Sequence, residues 1–334
     1  MAYVPLWGTG FEVGSSEVVV DSDVTGTITA DSGTKHTGSY SLKLYGDTAT
    51  DAVFGIQLDA AQTELYISAW LNASNDAAEP SRFEIITSTE YDAIGIRNDG
   101  TYWDAYVDGA KVADGSVSAA GGGWHLVELY VSIGDSGAIQ SKIDGVADLN
   151  YSGDTKPATA TTITKVEFRQ TGSVSHNPSF YIDDLTIATG GWIGDVRYDA
   201  VLLPTADTAQ KDWTPSSGSY NYALVDEVPP SDDDYVSTGS TGYKDLYALA
   251  NWSPAESTYQ VEFLVDWIRA KKGTAADQQI RSVVLSGTTE SSGGSIALST
   301  TYRYYQRLLT TDPDTSAVWD TTGIDALQVG QEYL

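Results

Sequence analysis

Cysteine is missing altogether, and methionine occurs once in 334 residues. The chain therefore holds no disulfide, no thiolate metal site and no cysteine nucleophile, whatever compartment it works in. Positive charge is scarce: 18 lysines and arginines stand against 46 aspartates and glutamates, a formal net charge of −28. A nucleic-acid binder needs a basic stripe to displace phosphate counterions, so nucleic acid is excluded as a partner, and an anionic membrane surface is excluded on the same ground. Long apolar runs are absent as well. Val18-Val19-Val20 and Val201-Leu202-Leu203 are strand-sized, far short of the ~18 residues of a spanning helix, so no membrane insertion is expected. The opening Met-Ala-Tyr-Val-Pro-Leu-Trp-Gly carries no basic segment followed by an apolar one, and no export signal is read there.

What is present suits a packed β protein. With 41% hydrophobic and 11% aromatic residues the chain can bury a substantial core and is not a disordered acidic tail. Its length suits two domains or one large all-β domain. Gly, Ser and Thr punctuate short alternating runs. In Glu64 to Leu71, Leu65, Ile67, Ala69 and Leu71 share one face and Tyr66, Ser68 and Trp70 the other. Trp124 to Ile133 alternates similarly, with Val127, Leu129, Val131 and Ile133 inward. Asn98-Asp99-Gly100 and Asp108-Gly109 bracket a further strand over 101–107. More strands are expected at 39–45, 82–87, 92–97, 138–143, 163–169 and 179–187, an antiparallel sandwich pattern. The pattern pauses at Gly190-Gly191, the expected linker between domains 1–189 and 190–334. Beyond it, strands are expected over 259–269, 280–286 and 301–310, with short helical turns at 244–250 and 321–328.

The first half carries Gly10-Phe11-Glu12, then Thr37-Gly38-Ser39-Tyr40-Ser41-Leu42-Lys43-Leu44, then Phe180-Tyr181-Ile182-Asp183-Asp184-Leu185-Thr186-Ile187. In this order the three resemble the opening, second and closing strands of lectin-like, laminin-G-like and carbohydrate-binding jelly rolls. The resemblance covers about 1–188 and implies a structural Ca²⁺, with Glu12 and Asp184 as ligands and Lys43 contributing its carbonyl. Calcium takes several hard oxygens of this mixed kind. The competing reading leaves Glu12 and Asp183 in solvent at strand ends. Asp21-Ser22-Asp23-Val24-Thr25-Gly26 imitates half an EF-hand loop, but its twelfth position is Ser32, and a solvated turn accounts for it better.

For sugar binding the candidates are Tyr66, Trp70, Tyr102 and Tyr106, which alternate away from the apolar faces of their strands. Together they would form a patch that stacks on sugar rings or packs on another protein; the alternative has them packed under a covering loop. Trp103 alternates with the core. Catalytic constellations are sparse. Gly134-Asp135-Ser136-Gly137 imitates a serine-nucleophile signature but reads as a hairpin turn. His36, His125 and His176 are isolated and lack zinc spacing, with His125 read as a hydrogen-bonded structural histidine. No alternating Glu-x-Asp-x-x-Glu run or P-loop occurs. The chain is accordingly expected not to be an enzyme.

The second half runs through Gly190-Gly191-Trp192-Ile193-Gly194-Asp195-Val196-Arg197, Leu203-Pro204-Thr205-Ala206-Asp207, Asp212-Trp213-Thr214-Pro215, Tyr222 to Glu227 and Asp232-Asp233-Asp234-Tyr235-Val236. Leu298 to Tyr302, Asp312-Pro313, Trp319 and Ala326 to Gly330 follow. This order resembles a family of virion structural proteins of tailed viruses, bacteriophage or haloarchaeal, in which such a region follows a laminin-G-like or lectin-like domain. Asp232 to Asp234 read as a solvated loop, and Trp192 and Trp213 as anchors of a domain junction.

The expected fold is all-β: two β-sandwich (jelly-roll) domains, the first concanavalin/laminin-G-like and the second a sandwich for attachment or oligomerisation. The resemblance implies a non-enzymatic structural protein on the outer surface of the particle, as capsid decoration, vertex or minor capsid protein. It would be assembled in the host cytoplasm. Its expected partners are other virion proteins of capsid or tail, further copies in a trimer or pentamer, and host-surface glycans. The alternatives are a tail-associated fibre or receptor-binding protein and a cell-surface carbohydrate-binding module.

Overall fold

The computed structural model describes residues 3–19, 25–46, 50–73, 81–87, 93–98, 100–118, 123–156, 160–172, 178–198, 200–252, 260–273 and 277–334. Asp21 to Val24 and His176 lie outside the described residues. The chain divides into two compact units, Met1–Asp199 and Ala200–Leu334. The division falls after Asp199 and not at Gly190-Gly191, because the residues that follow the two glycines bond to the first unit, as described below.

The first unit runs through β1 (Val4–Thr9), β2 (Thr27–Asp31), β3 (Ser41–Tyr45), β4 (Ala52–Gln62), β5 (Glu64–Asn72), β6 (Ser81–Thr87) and β7 (Ala93–Asn98). It continues with β8 (Trp103–Val107), β9 (Ala110–Ala113), β10 (His125–Ser132), β11 (Gly137–Ile143), β12 (Val146–Gly153), β13 (Ile163–Gln170) and β14 (Ser179–Thr189). These strands make two antiparallel sheets. The front sheet is ordered β12-β11-β10-β5-β14-β3-β2, with β1 also on β14; the back sheet is ordered β4-β13-β6-β7-β8-β9. The protein is thus a β-sandwich of jelly-roll type, and the alternation expected along β5, β8 and β10 is the one seen.

Period-two patterning explains the core. Leu65, Ile67, Ala69 and Leu71 of β5 and Val127, Leu129 and Val131 of β10 are buried, and so are Trp103 and Ala105 of β8. Aromatic rings fill the space between the sheets: Phe54 stacks on Phe168 at 5.1 Å, and Phe180 lies 6.3 Å from Phe168 and 6.2 Å from Trp103. Turn chemistry sets the register of the hairpins. Asp108 (φ 47°) and Gly109 (φ 76°) close β8 onto β9, and Asp144 (φ 51°) and Gly145 (φ 78°) close β11 onto β12. Gly134 to Gly137 form the turn between β10 and β11, with the Gly137 N–H on the Gly134 carbonyl at 3.2 Å. The hairpin reading of that motif therefore holds. His125 is hydrogen-bonded to Asp144 at 2.7 Å, as a structural histidine.

The second unit contains β15 (Pro204–Lys211), β16 (Thr214–Pro215), β17 (Val236–Ser237), β18 (Lys244–Leu249), β19 (Leu264–Ala270) and β20 (Gln279–Ser286). β21 (Thr289–Ser292), β22 (Ile296–Ala297), β23 (Arg303–Leu309), α1 (Thr321–Asp325) and β24 (Gln328–Tyr333) complete it. One sheet is ordered β15-β18-β24-β20-β21, with β22 also on β20; β16–β17 and β19–β23 are separate antiparallel ribbons. The helical turn expected at 244–250 is strand β18, because β15 and β24 hydrogen-bond to it on both edges. The helix at 321–328 is present in its first turn, where the Asp320 carboxylate accepts the Gly323 N–H at 2.8 Å as N-cap. Leu309 of the ribbon packs with Val284, Trp319, Ile324 and Leu327 in the core of this unit.

Truncating Phe168→Ala should remove about 3–5 kcal/mol from the stability of the first unit, as expected for a fully buried ring. A urea unfolding curve followed by tryptophan fluorescence checks this.

Candidate functional site

The site is built around a break in β14. Along its first half β14 pairs with β3, Tyr181 opposite Lys43; along its second half it pairs with β1, Leu185 opposite Thr9. Between the two, a register shift against β5 after Asp183 sets Asp184 and Leu185 in a bulge, Asp184 with a φ of 50°. Both side chains are buried. An isolated buried carboxylate is costly unless hydrogen bonds satisfy it, and donors surround these two. Asp183 Oδ2 accepts the backbone N–H of His36 at 2.8 Å and of Thr37 at 3.3 Å, and Oδ1 accepts that of Asp184 at 2.8 Å. Asp184 accepts the Thr37 hydroxyl at 2.9 Å, the Tyr198 N–H at 2.8 Å and the His36 ring Nδ1–H at 2.9 Å. Burial, and then the neighbouring Asp184, push Asp183 up to about 8 against the pull of its N–H donors.

Glu12 does the same work nearby. Its carboxylate accepts the N–H of Ser39 at 2.7 Å and of Tyr40 at 3.2 Å, over Gly38 at a φ of 56°. A Cβ at Gly38 would run into that carboxylate. The three quoted motifs of the first half are thus one contact: two acidic segments holding one loop. The oxygens of Glu12 and Asp184 accept N–H and O–H donors, and Lys43 stands mid-ladder between Thr29 and Tyr181. Among the described residues, no group of three or more His, Asp or Glu is arranged to hold a metal ion. A calcium ion at Glu12 and Asp184 would have to compete with these donors for the carboxylate oxygens. Glu12 and Asp183 are equally far from the solvent-exposed strand ends of the competing reading.

The outer face of the front sheet falls into a covered half and an open half. Residues 190–198 cross the covered half as a strap. The Gly194 N–H donates to Glu128 at 2.9 Å, Ser68 donates to the Gly194 carbonyl at 2.8 Å, and Trp192 lies edge-on to Tyr66 at 5.7 Å under the Lys142 ammonium at 3.9 Å. Trp192 is therefore an anchor within the first unit. Trp70 donates its indole N–H to Asp195 at 2.8 Å, and Arg197 grips the same carboxylate at 2.7 Å. Burial pulls Asp195 up, and these two bonds outweigh it and hold the carboxyl below its usual range. Tyr198 ends the strap, sharing a hydrogen bond with Thr186 at 2.8 Å and packing where only glycine fits, against Gly8 and Gly10.

The predicted four-residue aromatic patch is divided by this arrangement. Tyr66 and Trp70 point outward from the front sheet, Tyr66 packed under the strap. Tyr102 and Tyr106 belong to the outward face of the back sheet, since Trp103 and Ala105 of that strand fill the core. Tyr106 lies under Arg97 at 4.3 Å. Alternation within a strand places a side chain on a face but does not say which sheet the strand joins.

The other half of the front sheet's outer face brings together Trp70 and Lys43, which the sequence marked for separate roles, with His36, Trp124 and Tyr181. His36 stacks on Trp70 at 3.7 Å and meets Trp124 edge-on at 6.0 Å, and Trp124 lies 6.5 Å from Tyr181. The Lys43 ammonium stands 5.4 Å from the Tyr45 ring and 5.5 Å from the Tyr181 ring. Lys43, Tyr181 and Asn72 occupy one cross-strand row over β3, β14 and β5. The outward positions of those strands were legible, but the pairing that aligns them was not.

No protein-family model and no curated protein sequence matches the chain. Solved structures share its fold. A conserved carbohydrate esterase from Shiga toxin-encoding bacteriophage phi24B has 16% identity and a TM-score of 0.43, over 57% of this chain and 100% of that one. An endo-β-1,4-glucuronan lyase from the fungus Trichoderma reesei has 11% identity and a TM-score of 0.39, over 50% of this chain and 90% of that one. The catalytic domain of a glycoside hydrolase family 131 protein from Coprinopsis cinerea has 10% identity and a TM-score of 0.40, over 59% of this chain and 100% of that one. At these identities the likeness is one of fold. The structures named are carbohydrate-active enzymes, contrary to the expectation of a non-enzymatic structural protein, which is not carried further.

Two outcomes follow from the buried acids. A carboxyl raised on folding keeps a proton that the unfolded chain has lost, so stability should fall as pH rises from about 4, the unperturbed aspartate value, toward 8. In Asp183→Asn the melting temperature should fall less steeply over that range. The melting temperature of the unaltered protein should also be the same, within about 1 °C, in chelator and in millimolar calcium, since a ligand bound by the native state alone would raise it.

Proposed function

We propose that the first unit is a carbohydrate-active jelly roll that cleaves an anionic, uronate-containing polysaccharide by β-elimination on the open half of the front sheet. The observation that carries this reading is the row Lys43–Tyr181–Asn72 beside the aromatic wall of Trp70, His36 and Trp124. Aromatic faces stack on sugar rings. A lysine ammonium and an asparagine amide can hold the uronate carboxylate and stabilise the negative charge that spreads into it when the neighbouring C5 proton leaves. The Tyr181 phenol, beside that ammonium, is the proton-transfer group. The Tyr181 oxygen takes the C5 proton, the C5–H electrons form the C4–C5 double bond as the C4–O bond breaks, and Tyr181 hands that proton on to the departing oxygen.

Hydrolysis fits the same surface poorly. It uses two carboxyls flanking the scissile bond, whereas Asp183 and Asp184 are buried under their donors and Glu128 lies beneath the strap. The charge of −28 repels such a substrate at long range, so Lys43 must act locally.

Incubation with polyuronates, followed by ultraviolet absorbance of the unsaturated product, tests the reading. Lys43→Ala and Tyr181→Phe should each lower kcat by about a hundredfold or more. Added salt should lower KM for the wild-type protein by screening the long-range repulsion. Release of saturated ends, or full activity in both variants, would sink the proposal.

A further inference from the structure

Cations in this acidic chain are for the most part matched to carboxylates. Lys111 pairs with Asp104 and Asp114, Arg169 with Asp51 and Glu167, Lys211 with Asp207, Lys244 with Glu290 and Arg281 with Glu332. The end of the β19–β23 ribbon departs from this. Where Ala270 pairs with Arg303, the chain gathers Arg269, Lys271, Lys272 and Arg303, four of its 18 basic residues. Arg269 is bound to Asp232 at 2.7 Å. Lys271, Lys272 and Arg303 have no ion-pair partner among the described residues, and Lys271 and Arg303 are exposed.

An aromatic ring lies at the same place. Lys271 stands 4.2 Å and Arg269 5.1 Å from the Tyr302 ring centroid. Like charges crowded together repel, and of the carboxylates near Tyr302, Asp232 is engaged with Arg269, while Lys271, Lys272 and Arg303 form no ion pair among the described residues. Lys43, between Tyr45 and Tyr181, has the same character: a lysine beside tyrosine rings with no carboxylate partner among the described residues.

We infer that the end of the β19–β23 ribbon in the second unit is a separate binding site for an anionic polysaccharide. Lys271, Lys272 and Arg303 take its carboxylates, and Tyr302 provides an aromatic wall. The inference rests on the polymer class of the proposed function but uses none of its residues. A second unit that holds the polymer would raise its local concentration at the first, independently of how the cut is made.

The test is native affinity electrophoresis of the full chain in gels containing alginate or, as neutral control, hydroxyethylcellulose. Lys43→Ala serves as parent so that cleavage is silenced. The parent should be retarded by alginate and not by the neutral polymer. Adding K271A, K272A and R303A should weaken retardation about tenfold, and K271Q alone should act in the same direction. Adding K244A, which removes a cation already paired with Glu290, should change nothing. An unaltered melting temperature shows that each variant is folded.

Equal retardation of the triple variant and its parent would overturn the inference, and so would a parent that alginate does not retard while the wild-type chain is retarded, since the polymer would then sit on Lys43. A concentration-dependent dimer abolished by the triple substitution, without retardation, would assign the patch to a second copy and equally overturn it. Failure of the proposed cleavage leaves these readouts intact, because they measure binding to the second unit.

Discussion

Two adjacent buried carboxylates, Asp183 and Asp184, are the constraint on which the first unit depends. A sheet strand cannot bury two acids in succession unless donors converge on both sides, and the bulge in β14 makes that possible. It switches the strand's partner from β3 to β1 and turns both side chains toward the loop before β3 and toward the strap. His36, Thr37 and Tyr198 are then drawn onto the pair. Since a buried acid without its donors costs several times what a surface hydrogen bond gains, loop, strap and bulge hold one another in place.

The open surface follows from that arrangement. His36 is fixed by Asp184 on one side and stacks on Trp70 on the other, and Trp70 is tied by its indole to the strap. The strap closes one half of the front sheet and, among the described residues, leaves the row of Lys43, Tyr181 and Asn72 partly exposed. A candidate site is thereby set on rigid strands and bounded by a segment whose own position depends on the buried acids.

The negative charge has a different consequence in each setting. Within the fold, carboxylates serve as acceptors for N–H groups: Glu12 in the first unit, and Asp245 in the second, where the Asp212 and Trp213 backbone N–H groups and the Asn221 side-chain amide all donate to it. This internal use is one reason that abundant acids need not imply bound cations. On the surface the same excess makes each unmatched lysine conspicuous, and Lys43 and Lys271, each beside a tyrosine ring and without a carboxylate partner among the described residues, stand out by that contrast.

Sequence alone determined the all-β class and most strands, because a two-residue period of burial is a local property: Leu65 to Leu71, Trp103 to Val107 and the Asp108-Gly109 turn were readable residue by residue. The resemblance carried by three motifs set Glu12 and Asp184 near one loop, and both do bond to residues 37–40. Only the tertiary structure decided what those residues do. Whether an acid meets a metal or a backbone N–H, and whether Tyr66 and Tyr106 share a surface, depends on strand pairing across more than a hundred residues. The division between units shows the same limit. Gly190-Gly191 looks like a linker, but the hydrogen bonds of Gly194, Asp195 and Tyr198 bind the following segment to the first unit, and such long-range partners leave no local signature in the chain.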